Sequence, residues 1–118
     1  MLDEGIKIIE KPIRRADVAA MTGKWFNDLV KAVVDIERGI MAIDAELHAD
    51  EEQVLLERGS KQEDLWGINL LPKRVEDSWI QFDSMINIRP RQNNRSKDVE
   101  DPKIRERIKA VVKQLVAD

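Results

Sequence analysis

The chain has 118 residues, the length of one domain. Its 20 basic against 23 acidic residues leave a net charge of −3, which argues against a nucleic-acid binder by bulk charge. A hydrophobic content of 42 % argues against a disordered chain, and the lack of cysteine excludes disulfide scaffolds, thiolate zinc sites and cysteine nucleophiles.

Met1 to Lys11 lacks the charged-then-apolar plan of a signal peptide, so a cytoplasmic protein is expected. No apolar run approaches the ~18 residues that a membrane span needs. Alternation around Ile6 and Ile8 predicts a first strand, Gly5–Glu10, stopped by Pro12. Val18, Met21, Trp25 and Leu29 then fall at helical spacing. They predict a helix from Arg14 to Asn27 that Gly23 weakens.

Val30–Glu37 and Ile40–His48 read as a hairpin turning at Arg38-Gly39. A two-residue loop pairs Glu37 with Ile40, Ile36 with Met41, Val34 with Ile43 and Ala32 with Ala45. That register gathers the apolar residues, Leu47 included, on one face. Asp50 and Gln53 look like a capping box for a second helix that runs to Arg58 and stops at Gly59. Leu65–Leu71 reads as a fourth strand and Trp79–Arg89 as a fifth, with a bulge allowed near Asp83-Ser84.

Arg91–Glu100 is a polar loop. Asp101-Pro102 opens the last helix with cap and N1 proline in order, and Ile104, Ile108, Val111, Val112 and Leu115 form its apolar stripe. The order β-α-β-β-α-β-β-α predicts a single α+β domain over 1–118. Its sheet is mainly antiparallel, of about five strands, with helices packed on one face.

The strings AVVDIERGIMAI, ELHADEE, GSKQEDLWGINLLP and FDSMINIRPRQNNRS resemble a family of small bacterial proteins classed as a domain of unknown function (DUF5674-like). The resemblance runs from about Ile6 to the last helix. It implies an intracellular bacterial protein of one domain, and it implies no activity and no functional residue.

Three constellations are candidates for chemistry. In the proposed register Asp35 and Asp44 are diagonal neighbours on the polar hairpin face, and Lys31 lies opposite Glu46. Asp35, Asp44 and Glu46 are candidates to hold magnesium or manganese, with His48 as base or ligand. The plain alternative is the wet face of an antiparallel sheet. No cofactor beyond that metal is expected.

The second constellation follows the fifth strand. Asn87, Arg89, Asn94 and Arg95, with Asp83, supply forked and paired groups that suit a small anionic or phosphate-bearing ligand. The alternative there is that the arginines pair with Asp98, Glu100 or Asp101. The third is a tryptophan pair: Trp66 aligns with Ile68 and Leu70 and reads as core, whereas Trp79 falls on the polar side.

The resulting expectation is a ligand-binding domain working through the polar sheet face and the Arg89–Arg95 loop. The alternative is a homodimeric interaction module using Trp79 or a sheet edge. A metal-dependent phosphoester hydrolase is a third reading. Neither a membrane nor a nucleic acid is expected as partner.

Overall fold

Apolar alternation in the hairpin and in Leu65–Leu71 gives the molecule a central sheet. A computed structural model describes residues 5–118; residues 1–4, part of the stretch read for a leader, lie outside the described residues. In chain order the elements are β1 (Lys7–Ile9), β2 (Ile13–Arg14), α1 (Arg15–Ala19), β3 (Val30–Asp35), β4 (Ile40–Ala45), α2 (His48–Glu57), β5 (Leu65–Leu70), β6 (Ile80–Gln81), α3 (Pro102–Leu115) and β7 (Val116–Ala117). The main sheet runs β1-β4-β3-β5-β6, and each neighbouring pair is antiparallel. β2 and β7 pair in parallel and tie Ile13 to Val116. The α+β class and the mainly antiparallel five-stranded sheet are as the sequence predicts. No helix among the described residues is long and apolar enough to cross a membrane.

The layers differ from the expectation of helices on one face. Ala32, Val34, Met41 and Ile43 pack with Ile108, Val112 and Leu115 of α3 and with Val18 of α1. Val33 and Ala42, which point the other way, pack with Leu55 of α2 and with Leu65. Both faces of β3 and β4 are therefore buried, and the wet face expected of the hairpin is covered by α2.

The register of the hairpin is corrected twice. Asp35, not Glu37, pairs with Ile40, because the chain turns two residues early. One carboxylate oxygen of Asp35 accepts the N–H groups of Glu37 and Arg38, both at 2.9 Å, which fixes a four-residue turn with Gly39 at φ +68°. A shift of two leaves every side chain on its predicted face. The second change does not. Ala32 pairs with Ile43 but Lys31 with Ala45, so Asp44 is an extra residue at φ +75°. This bulge turns the end of β4 over, and Leu47 lies 50 % exposed instead of joining the core.

Three further predicted elements are shorter or shifted. The first helix ends at Ala19, and the chain coils through Gly23, whose φ of +88° no helix can hold. α2 begins at His48, ahead of the predicted Asp50 cap, with Leu47 at the N-cap and no side-chain cap. Its end is as predicted: the Gly59 and Ser60 N–H groups donate to the Leu56 and Leu55 carbonyls. The fifth strand shrinks to Ile80–Gln81, after which short helical turns carry the chain to Gln92. Trp66 is buried as predicted. Trp79 is buried too, under the Arg15 guanidinium 4.1 Å from its ring centroid, and is not on a polar side.

Candidate functional site

The site is framed by what happens to the edge of β5 once β6 has ended. The Asn87 side chain takes over as a surrogate strand. Its Oδ1 accepts the Gly67 N–H at 2.8 Å, and its Nδ2 donates to the Gly67 carbonyl at 3.0 Å and to the Lys97 carbonyl at 2.9 Å. This brings Ser84 so close to Gly67 that a Cβ there would lie 2.6 Å from Ser84 Cβ and Oγ. Only glycine fits such an approach. The segment around Ser84 is thereby pinned over the sheet, facing the start of α2.

Between these two lies a cavity of about 340 Å³, at the small end of the ~300–1,000 Å³ typical of ligand sites. Its polar lining comes from Lys31 on β3, Asn69 on β5, His48 at the start of α2, Asp83 and Ser84 on the pinned segment, and Lys97, whose carbonyl accepts the Ser84 N–H. Lys31 and Asn69 are direct partners across β3 and β5, so their side chains stand together. Lys31 Nζ lies 4.9 Å from the Phe26 ring centroid and makes no ion pair among the described residues. Asn69 is 6 % exposed; its Nδ2 donates to Gln81 Oε1 at 2.9 Å, but its Oδ1 is buried with no partner.

His48 lines the same cavity. Its Nε2 lies 2.7 Å from the Ile68 carbonyl. A carbonyl only accepts, so Nε2 carries the proton and Nδ1 is left as an acceptor. Burial pulls the imidazole down from 6.5 to about 4, with Lys31 adding to the fall and the Ile68 bond and Asp83 opposing it. His48 is therefore neutral at pH 7. The N–H groups that open α2 meet no side-chain cap, and His48 and Ala49 both line the cavity. Two lysines against one aspartate, beside a helix N-terminus, make this a positive spot on a negative protein.

The candidate residues read from the sequence are dispersed. Asp35 is 0 % exposed and is consumed by the turn and by Ser60 Oγ, which donates to it at 2.6 Å. Asp44 pairs with Lys7 at 2.6 Å and Lys24 at 3.3 Å. Glu46 is exposed, and Lys31 stands opposite Ala45 in its place. Asp35 and Asp44 sit at opposite ends of the hairpin because of the early turn and the bulge. No group of three or more His, Asp or Glu close enough to hold a metal ion occurs among the described residues.

The Arg89–Arg95 loop is also spent on its own fold. Arg89 stacks on Trp66, 4.1 Å from the ring centroid, and donates to the carbonyls of Gln62 and Leu65. Asn94 is buried; its Nδ2 donates to the carbonyls of Asn87, Ser96 and Asp98, and its Oδ1 accepts the Glu100 N–H. Asn93 at φ +60° closes the turn between Arg89 and Asn94, whose backbones bridge. Arg95 is exposed, and its backbone N–H is held by Glu100.

Of the nine candidates, His48 and Asp83 reach the cavity. Lys31, Asn69 and Lys97 are not among those nine, although the sequence places Lys31 on the polar hairpin face. Asn69 carried a signal, as a lone amide inside the apolar run Leu65–Leu71. Lys31 and Lys97 carried none that marks them off from other surface lysines.

No curated protein and no solved structure matches the chain. A family model does, across residues 7–115, and the chain belongs to that family, described as protein of unknown function (DUF5674).

Proposed function

We propose that this protein binds a small anionic ligand, carboxylate or phosphate-bearing, in the cavity before α2, not on the Arg89–Arg95 loop. The observation that carries the reading is Lys31, a cation without an ion pair among the described residues. It stands beside the buried, unpartnered Asn69 Oδ1 where α2 opens uncapped. Helix N–H groups and a nearby ammonium are the usual seat of a bound anion. The bacterial, cytoplasmic setting belongs to the same proposal, and a cysteine-free chain suits a reducing compartment. Trp79, one of the two grounds for a homodimer, is buried, which leaves that reading on the sheet edge alone, and the acids on which a metal-dependent hydrolase rested lie apart. Neither has an observation to set beside Lys31 and Asn69 Oδ1.

Calorimetric titration of the full chain with inorganic phosphate and with small carboxylates tests the proposal. Saturable binding at millimolar ligand is expected, weakened by added salt and lost in Lys31→Met without a fall in melting temperature. Binding that survives Lys31→Met but is lost in Arg95→Ala would return the site to the loop.

A further inference from the structure

We propose that the ligand is a small zwitterion, an ammonium and an anionic group on a short apolar body, the chemistry of a free α-amino acid. This rests on the anion reading above. The cavity offers two kinds of polar group. Lys31, Lys97 and the opening N–H groups of α2 can only donate. Asn69 Oδ1, His48 Nδ1 and the Asp83 carboxylate accept, and Asn69 Oδ1 is buried without a partner.

A plain anion would satisfy the donors and lay negative charge against the acceptors. A plain amine would do the reverse. Only a molecule with both groups matches both sets, and leaving a buried acceptor unmatched is costly. Lys31 and Asn69 are cross-strand partners, so their Cβ atoms stand ~5 Å apart on one face and a donor and an acceptor line the same cavity side by side. The body has a place as well. Leu47 and Met85, 50 % and 67 % exposed, stand at this cavity together with Phe26 and Leu29. An aliphatic side chain laid there removes apolar surface that now faces water.

The test uses the full chain and a panel of free α-amino acids, screened by thermal shift. The member with the largest shift is then titrated by calorimetry beside its deamino acid and its decarboxylated amine. The amino acid is expected to bind about tenfold or more tightly than either fragment, the loss for one charged hydrogen bond. Lys31→Met is expected to weaken the amino acid and the deamino acid. Asp83→Asn, at an exposed position, is expected to weaken the amino acid and the amine and, by removing a negative charge beside the anion, to leave the deamino acid bound as tightly or more tightly. If small acids and phosphate bind saturably while no amino acid binds better than its deamino counterpart, the zwitterion inference falls and the anion reading stands. If neither acids nor amino acids bind, both fall.

Discussion

Two regions of this molecule present the same residue types and use them in opposite ways. Around Asn94 and Arg89 the chain itself engages nearly every amide and guanidinium group: Asn94 makes four hydrogen bonds to backbone, and Arg89 donates through both terminal nitrogens to two carbonyls over Trp66, its Nε alone being buried without a partner. Around Asn69 and Lys31 the chain leaves an amide oxygen and an ammonium without partners among the described residues. A buried polar group is expensive to leave unpaired. The first region therefore reads as fold and the second as a place for something the chain does not supply. Substitution should separate the two: stability falls in the first, ligand binding in the second.

The largest effect is expected at Asn87. Asn87→Ala removes its three hydrogen bonds and leaves buried groups of Gly67 unpaired. A loss of about 3 kcal/mol or more is expected from the desolvation cost of such groups, read from denaturant midpoints. Asn69→Ala breaks one good bond, to Gln81 Oε1 at 2.9 Å, and one long bond, to the Asp83 carbonyl at 3.4 Å. It should cost about 1 kcal/mol while abolishing ligand binding. Equal losses in the two variants would erase the distinction.

His48 gives the next effect, of roughly 3 kcal/mol from a fall of 6.5 to about 4. The folded imidazole is held neutral while the unfolded one takes up a proton below its ordinary value. Its contribution is therefore complete above pH 6.5 and drains away as the pH falls toward 4. Glu51 works against it. Burial pushes its carboxyl well above the ordinary range, so its contribution is present at low pH and is lost as the pH rises through its folded value. His48→Gln should flatten the acid limb of stability between pH 6.5 and 4 and leave any alkaline decline in place. An unchanged acid limb would show that His48 titrates freely.

A smaller effect is expected at Gly67. Gly67→Ala forces Ser84 outward from a 2.6 Å contact and should cost ~1–3 kcal/mol, as overpacking does. Because Ser84 also lines the cavity, the same variant should weaken binding, unlike Asp101→Ala. That change removes only the cap bond to the Lys103 N–H of α3, worth about 1 kcal/mol. Both are measured by chemical denaturation with and without ligand.

The sequence was most legible where local chemistry decides. The Asp101 cap, the Gly59 stop and the stripe of α3 are all observed, because each depends on residues a few positions apart. The strand faces around Val34 and Ile43 were also readable, since period-two alternation survives a two-residue error in register. What failed depended on partners distant in sequence. The bulge at Asp44 is held by Lys7, Lys24 and, through the Ala45 N–H, Glu51. The predicted fifth strand dissolved because one amide, Asn87, replaces a strand's hydrogen bonds. Polar pattern alone could not tell Asn94, which is satisfied, from Asn69, which is not.

The most direct test of the central claim is to map where a small anion binds, by following backbone amide resonances of the full chain during titration with a small carboxylate. Saturable shifts centred on Lys31, His48, Ala49, Asn69 and Lys97 are expected, with Arg91 to Arg95 unmoved. Saturable shifts centred on Arg91 to Arg95, with the amides of His48 and Ala49 silent, would contradict that claim.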